Sequence, residues 1–418
     1  MQRGYLSEYF DGVAAKRLSA VETDPTKSHQ HEFQAVRPML EFIGRASEPT
    51  PFPAKFVYLT DDDPEPIVAE ASLTLYDSRR LNPSRSPEFR FYFADNAVTQ
   101  VMAAGDLLVI AKLREGGLLV LVAEDGSSIA SQIEWLFGLG DLELAGYAAL
   151  EGRSEPAFSV RAGLENDQDR IQFASRFILE SIGVEVGTTD ESMLALILSR
   201  FGKGWPDTRQ FSPFARTLAE EIDPVADPDG ALMAWVDREY VLYRTLENHL
   251  ISERLDSGFA GTNGVEDFLS FSLSVQNRRK SRSGSSLENH IEEVLVRNGI
   301  RYSRGAKTEA NSKPDFLFPG VSEYQDSSFP DSRLHMLASK RSAKDRWRQI
   351  LAEAERIPEK HLLTLEAAIS ETQTDEMSRQ HVHLVLPLSL HDSFNSRQKP
   401  KLLSVREFIA IAGAAQRN

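Results

Sequence analysis

Asp315 and Lys340 are the residues in this chain whose types and spacing best suit chemistry on phosphate esters. Asp315 lies in Lys313-Pro314-Asp315-Phe316-Leu317-Phe318, and Lys340 closes Ala338-Ser339-Lys340, 25 positions further on. Hydrolysis of a phosphodiester with magnesium needs hard oxygen ligands for the ion. It also needs a cation to stabilise the attacking water or the charge developing on phosphate. Asp315–Phe318 and Leu334–Lys340 are expected as strands, and an aspartate opening one strand can meet a lysine ending its neighbour at one sheet edge. The position two before the lysine, the simplest place for a second acidic ligand, is Ala338. A helix expected over Ser342–Ile357 offers Glu353 instead, 13 residues beyond Lys340. Arg346 and Glu353, seven apart, would share a helix face to within about 20°. Ser342 and Asp345 form a capping signal at the start of that helix, and Pro358 ends it. Trp347, Ile350, Leu351 and Ala354 supply its packed side. Pro-Asp followed by a distant lysine recurs by chance in many proteins, so the surrounding sequence carries the weight.

The elements that must position these residues differ along the chain. Up to about residue 150 the pattern is mostly β, with strands expected at Lys55–Thr60, Glu70–Tyr76, Glu88–Phe93, Leu107–Leu113 and Leu118–Glu124. Arg114-Glu115-Gly116-Gly117 reads as the hairpin turn between the last two, and Pro49–Pro53 and Asp61–Pro66 read as loops. Short strands at this spacing suggest a barrel or sandwich. Helical periodicity appears at Gln168–Ile182, Glu191–Phe201, Ala231–Leu250 and Leu287–Arg297, the last with Ser285 or Ser286 near its N-cap and Gly299 closing it. Strands at His361–Glu366 and His381–Pro387 and a final helix at Ser404–Gln416 complete a strand–helix–strand order. That order points to a mixed sheet with helices packed on it, an α/β domain behind a mostly β one. The expected division is 1–155, a helical linker at 156–204, and 205–418.

Composition narrows the function classes. The 418 residues are 41% hydrophobic and 26% charged, the balance of a globular protein. There is no cysteine, which excludes disulfides and thiolate metal sites and fits a reducing cytoplasm. No apolar run approaches the roughly 20 residues of a membrane-spanning helix, and the opening MQRGYLSEYFDG lacks a signal-peptide layout. The net charge of −15 argues against general coating of nucleic acid. Against that background, Arg278, Arg279, Lys280, Arg282, Arg297, Arg301, Arg304 and Lys307 outnumber Glu288, Glu292 and Glu293. A basic cleft on an acidic body suits a specific DNA enzyme, and a solvated loop is the plain alternative.

Three segments carry a resemblance: NRRKSRSGSSLENHIEE at Asn277–Glu293, KPDFLFP at Lys313–Pro319, and SKRSAKDRWRQILAE at Ser339–Glu353. Together they resemble the EcoRII-like restriction endonucleases of the PD-(D/E)xK nuclease superfamily, over most of residues 205–418. The resemblance implies a restriction-endonuclease-like catalytic domain using Mg2+ to cut both strands of double-stranded DNA as a homodimer. It implies Asp315, Lys340 and Glu353 as catalytic positions, with Asp315 and Glu353 holding the metal. Glu288 matches a glutamate on the helix bordering the active site, and Tyr324 matches a tyrosine near the active centre. Lys344-Asp345-Arg346 matches the motif that reads adjacent G·C pairs, where Lys or Arg contacts guanine O6 and N7 and Asp accepts from cytosine N4. A site of CCGG or CC-N-GG type follows. Where the family has an arginine cluster, this chain has Met233–Arg238, with Trp235 as a candidate to stack on an extruded base or as a core tryptophan.

The N-terminal region resembles the family's B3-like DNA-binding barrel through Lys16-Arg17-Leu18-Ser19-Ala20, Ser28-His29-Gln30 and Tyr76-Asp77-Ser78-Arg79. In that family the barrel binds a second copy of the recognition site and covers the catalytic cleft. Arg17, His29, Arg79, Arg85, Glu88 and Arg90 are the implied DNA contacts, each with a surface ion pair as the plain alternative. Two other readings stand beside the main one: a repair or methylation-directed nuclease, and a DNA-binding regulator with a decayed nuclease domain.

Overall fold

A computed structural model of the chain describes residues 4–23, 31–45, 48–63, 65–81, 84–139, 158–187, 189–259, 263–343 and 346–417. They fall into two compact units, residues 1–186 with Ala368–Thr372, and residues 187–367 with 373–418. Among the described residues no helix is long and apolar enough to cross a membrane.

The first unit is built on one eight-stranded sheet. Its strands are β1 (Phe10–Arg17), β2 (Glu32–Gln34), β3 (Thr50–Leu59), β4 (Ile67–Asp77), β5 (Phe89–Phe93), β6 (Leu107–Leu113), β7 (Leu118–Ala123) and β8 (Ser159–Ala162), in the order β2-β5-β4-β3-β7-β6-β1-β8. The runs LLVIA and LLVLVA do not alternate because both faces are covered. Val13, Ala15, Val57, Val109 and Leu121 join one core with helices α1 (Ser128–Leu136) and α2 (Phe173–Ser181). Their neighbours Ala14, Phe56, Leu108 and Val120 point to a second core with Phe33, Leu73 and Phe91.

Pro49–Pro53, expected as a loop, is mostly strand. Thr50–Pro53 pairs with β4 only, and pairing to β7 begins at Ala54, so Pro51 and Pro53 stand where β3 has a free edge. The hairpin at Arg114–Gly117 forms as expected, with Gly117 at φ +80° and a notional Cβ only 2.9 Å from the Pro53 carbonyl oxygen. The expected linker 156–204 is divided. Its helix α2 packs in the first unit, while α3 (Glu191–Phe201) belongs to the second.

The second unit is α/β. Helices α4 (Thr208–Thr217), α5 (Pro228–Ser257) and α6 (Gly264–Arg297) precede a five-stranded mixed sheet. Its strands are β9 (Ser303–Arg304), β10 (Phe316–Phe318), β11 (His335–Ser339), β12 (Lys360–Leu363) and β13 (Val382–Val385), with helices α7 (Glu371–Arg379) and α8 (Val405–Gln416) following in sequence. Strand order is β13-β12-β11-β10-β9. β10 runs antiparallel to both β9 and β11, whereas β11, β12 and β13 are parallel. Four of these strands match the expected ones, β9 was not expected, and not all helix limits agree. The helix expected from Leu287 starts at Gly264, so Ser285 and Ser286 are interior and do not cap it. Ser404 does cap α8, exchanging bonds with Glu407 in a capping box.

The helices of this unit enclose charge. Glu239, His290, Arg282, Glu247 and Arg244 are all buried. His290 Nε2 lies 2.8 Å from Glu239, Arg282 lies 3.6 Å from it, and Arg244 and Arg279 both reach Glu247. Burial pushes the His290 ring down, while its bond to Glu239 holds that carboxyl low against its own desolvation.

Candidate active site

Register brings Asp315 to Lys340. Phe316 pairs with Leu337, so the residue before β10 faces the end of β11. The Asp315 carboxylate accepts the Ser339 backbone N–H at 2.7 Å and the Lys340 ammonium at 2.9 Å. Both bonds fall on Oδ2. Lys340 N in turn donates to the Leu363 carbonyl at 2.9 Å, tying the end of β11 to β12. The aspartate is thus held by the backbone of the strand that supplies the lysine, and the two side chains stay 16% and 22% exposed.

Glu353 reaches the same place by another route. The helix expected over Ser342–Ile357 is much shorter, with an α turn at Arg346–Gln349 and a tighter turn at Ile350–Ala352. Glu353 has already left it, with extended backbone, and Ala354 follows at φ +50°. Glu353 therefore does not share a helix face with Arg346; it stands on the turn that stops the helix. Trp347, Ile350 and Ala354 are buried as expected and seat the segment. The buried Lys360, opening β12, donates to the carbonyl oxygens of Glu353 and Ala354, the latter at 2.8 Å. Burial lowers the Lys360 ammonium, opposed by Glu353, Glu309 and Glu355. Burial also pushes the Glu353 carboxyl up to about 7, with Lys340 pulling it down and Asp315 raising it further. One of its oxygens, Oε2, is buried with no hydrogen-bond partner.

Two further expected residues flank this group. Glu288 on α6 accepts from Arg304 at 2.8 Å, and Arg304 also bonds Glu292 and the Asn289 side chain. Arg304 lies opposite Phe316 in the β9–β10 pair, one residue from Asp315. Tyr324 is buried, and its hydroxyl donates to Glu309 at 2.6–2.7 Å while accepting from Arg356 N at 3.3 Å. Glu309 and Lys360 were missed in the sequence. A lysine opening the buried strand KHLL was a signal; nothing local marks Glu309.

Lys344 and Asp345 lie outside the described residues, and Arg346 is exposed. The chain leading to them is anchored. Ser342 Oγ and Ala343 N both donate to Glu366, and Thr364 Oγ1 donates to the Arg341 carbonyl at 3.0 Å. Trp235 is 7% exposed, with the Arg216 guanidinium over its ring at 5.6 Å. With Arg216, Glu293 and Arg297 it lines a cavity of about 820 Å³.

In the first unit, Arg79, Glu88 and Arg90 come together. Arg79 and Arg90 both pair with Glu88, Arg90 also reaches Glu32 at 3.0 Å, and Tyr76 donates to Glu32. The Arg90 guanidinium holds Glu88 below the usual carboxylate range. Arg17 stands apart from them, bonded to Asp125 and Glu134. Arg85 is exposed, and His29 lies outside the described residues. Much of the basic run before Lys307 is likewise engaged inside the protein, with Arg279, Arg282, Arg297, Arg301 and Arg304 all in ion pairs.

The donor set fits a hard divalent ion only in part. Among the described residues no three His, Asp or Glu side chains converge as a ready ligand cage. Asp315 and Glu353 supply two carboxylates, and the unpartnered Glu353 Oε2 is the buried polar atom that an ion would satisfy. Magnesium is commonly bound by one or two carboxylates with water and substrate phosphate completing its shell, so two suffice.

Residues 243–409 match the family model described as EcoRII C terminal. This stretch is similar to an EcoRII C-terminal domain. It contains Glu288, Asp315, Tyr324, Lys340 and Glu353. The chain is also similar to the type II restriction enzyme EcoRII of Escherichia coli, at 42% identity over 185 residues. That match covers 44% of this chain and 45% of the relative, so it spans less than half of either. Among solved structures, metal-depleted Ecl18kI in complex with uncleaved, modified DNA aligns at 16% identity, with a TM-score of 0.43, over 54% of this chain and 83% of that one. A PspGI–substrate DNA complex aligns at 16% identity, with a TM-score of 0.40, over 50% and 93%. The α/β assignment rests on the sheet order rather than on these alignments.

Proposed function

We propose that this chain is a type II restriction endonuclease that makes magnesium-dependent double-strand cuts in DNA at a site containing CC and GG, of CCGG or CC-N-GG type. The observation that carries this reading is the Asp315–Lys340 contact at 2.9 Å beside a buried carboxylate with an unsatisfied oxygen, inside the stretch that matches the EcoRII C-terminal family model. Asp315 and Glu353 are the residues that would hold Mg2+. The ion, when bound, supplies Lewis-acid stabilisation of phosphate charge and a more acidic water. Lys340 orients Asp315 through their 2.9 Å contact, and its ammonium would stabilise the charge developing on the phosphate. Burial around Glu353 keeps bulk water from screening these charges.

Lys344, Asp345 and Arg346 read the G·C pairs in this proposal, from the segment that starts four residues after Lys340. The first unit binds DNA through its Arg79–Glu88–Arg90 cluster with Arg17, His29 and Arg85, and a homodimer matches a two-fold target. Incubation of the purified chain with plasmid DNA and Mg2+, followed by run-off sequencing of the ends, tests the reading. One recurrent cut site containing CC/GG is expected, absent without metal and absent in Lys340→Ala. Binding without any cutting in Mg2+ or Mn2+ would falsify it and leave a DNA-binding regulator. Parallel digestion of methylated and unmethylated plasmid separates restriction from methylation-directed cleavage.

A further inference from the structure

Asp315 and Glu353 arrive at the site on different pieces of chain, and one side chain joins those pieces. Glu309 stands in the loop between β9 and β10. That loop closes on itself through Thr308 N to the Ser312 carbonyl and Ser312 N to the Glu309 carbonyl, both at 2.9 Å, and through Gly305 N to the Asp315 carbonyl at 3.0 Å. Its carboxylate reaches out to the turn that carries Glu353. Glu309 Oε2 accepts the Glu355 N–H at 3.3 Å, and both Glu309 oxygens accept from the Tyr324 hydroxyl. The same hydroxyl accepts the Arg356 N–H at 3.3 Å.

The turn is bonded at successive peptide groups. Lys360 takes the carbonyls of Glu353 and Ala354, Glu309 takes the N–H of Glu355, Tyr324 takes the N–H of Arg356, and Ile357 N closes back on the Ala354 carbonyl at 2.9 Å. The Arg356 side chain completes the clamp, donating to the carbonyls of Tyr324, Asp326 and Phe329 and to the Asp331 carboxylate. A backbone with Ala354 at φ +50° stays in place only where its surroundings hold it, and these bonds do so.

We propose that Glu309 is a positioning residue that sets the distance between Asp315 and Glu353, acting through Tyr324 and the 354–356 turn. It is not itself a ligand in this scheme. The inference rests on the reading of Asp315 and Glu353 as the metal carboxylates. Groups that orient metal ligands typically change metal affinity 10- to 100-fold when removed.

The test measures Mn2+ binding to the full-length chain, with and without a cognate DNA duplex, by electron paramagnetic resonance of free Mn2+, alongside cleavage rate and thermal unfolding. Glu309→Ala is expected to weaken Mn2+ binding about 10-fold or more and to shift cleavage to higher metal concentration. DNA affinity without metal should be unchanged. Glu309→Gln, which keeps an acceptor for Tyr324, should recover part of the loss. Should Glu309→Ala fail to fold, Tyr324→Phe carries the test, since it removes only the hydroxyl, and it should weaken Mn2+ binding in the same direction. A folded Glu309→Ala or Tyr324→Phe with unaltered Mn2+ affinity, set against an Asp315→Ala that has lost it, overturns the proposal and leaves the metal reading standing. An Asp315→Ala that binds Mn2+ as well as the parent overturns the metal reading and the proposal with it.

Discussion

The two carboxylates of the site are held in opposite ways. Asp315 is held by the sheet: its neighbours are paired with β9 and β11, and its side chain is bonded to the backbone of the very strand that ends in Lys340. Glu353 is held by side chains from elsewhere, with Lys360, Glu309 and Tyr324 bonding the turn beneath it. A ligand fixed by register depends on the fold as a whole. A ligand fixed by a clamp can be lost while the fold persists, and the two should respond differently to substitution.

The largest effect is expected on the sheet-held side. Lys340→Ala should reduce the plasmid cleavage rate by about 10³-fold, the scale for losing a charge stabiliser, with the folded fraction unchanged by circular dichroism. Retention of more than a tenth of the rate would remove Lys340 from the chemistry. On the clamp side, Lys360→Met keeps the buried stem but strips hydrogen bonds from two carbonyls. It should cost about 2–4 kcal/mol in urea unfolding, from two buried acceptors left unsatisfied, and cleavage should fall more than DNA binding. Equal losses of cleavage and of binding would mean that the turn has no special tie to the site.

Next in size is a pH effect from the other face of the same strand. His361 is buried between His335 and His383, against Phe408. Burial, and then His383 and His335, push its ring down to about 3, against smaller raising effects of the Met336 backbone and Glu359. The unfolded chain takes up a proton near 6.5, whereas the folded chain does not until about 3. The unfolded state therefore holds more protons between those values, so stability is full above about 6.5 and falls as pH drops, by about 1.4 kcal/mol per pH unit. His361→Gln should flatten that slope between pH 6.5 and 5 in urea titrations; an unaltered slope assigns it to other groups. The smallest effect is expected at Arg85, exposed in the first unit. Arg85→Ala should change stability by less than about 0.5 kcal/mol and lower the salt dependence of DNA binding by about one phosphate contact. An unaltered salt slope would take Arg85 off the interface.

The same contrast explains what was legible in the sequence. Asp315 and Lys340 could be paired from spacing because strands carry residues to sheet ends by a simple rule. Four of the five strands of the second unit and five of the eight in the first follow apolar or alternating runs, whereas the two-residue polar β9 and the strands β1, β2 and β8 were not expected. Glu353 was found as a residue but not as a geometry, since the helix expected to reach Ile357 stops at Ala352. Its ending depends on Lys360, seven residues on, and on Glu309, far earlier, neither of which shapes the local pattern. The start of α6 was hidden for a related reason. Its middle, Asn277–Ser286, is polar and basic, and Arg279 and Arg282 are held there by Glu247 and Glu239 on α5, across the helix pair.

One anchoring detail bears on the redesign of sequence preference. The chain after Lys340 is fastened to Glu366 and Thr364, beyond β12, before it enters the residues proposed to read bases. On the far side, Trp347 is buried and its N–H closes on the Ala343 carbonyl at 3.1 Å. Ala343 and Trp347, the described residues on either side, are thus both fastened to the frame. Libraries randomised only at Lys344, Asp345 and Arg346 should therefore yield folded proteins in high proportion, with altered sequence preference separable from loss of cutting.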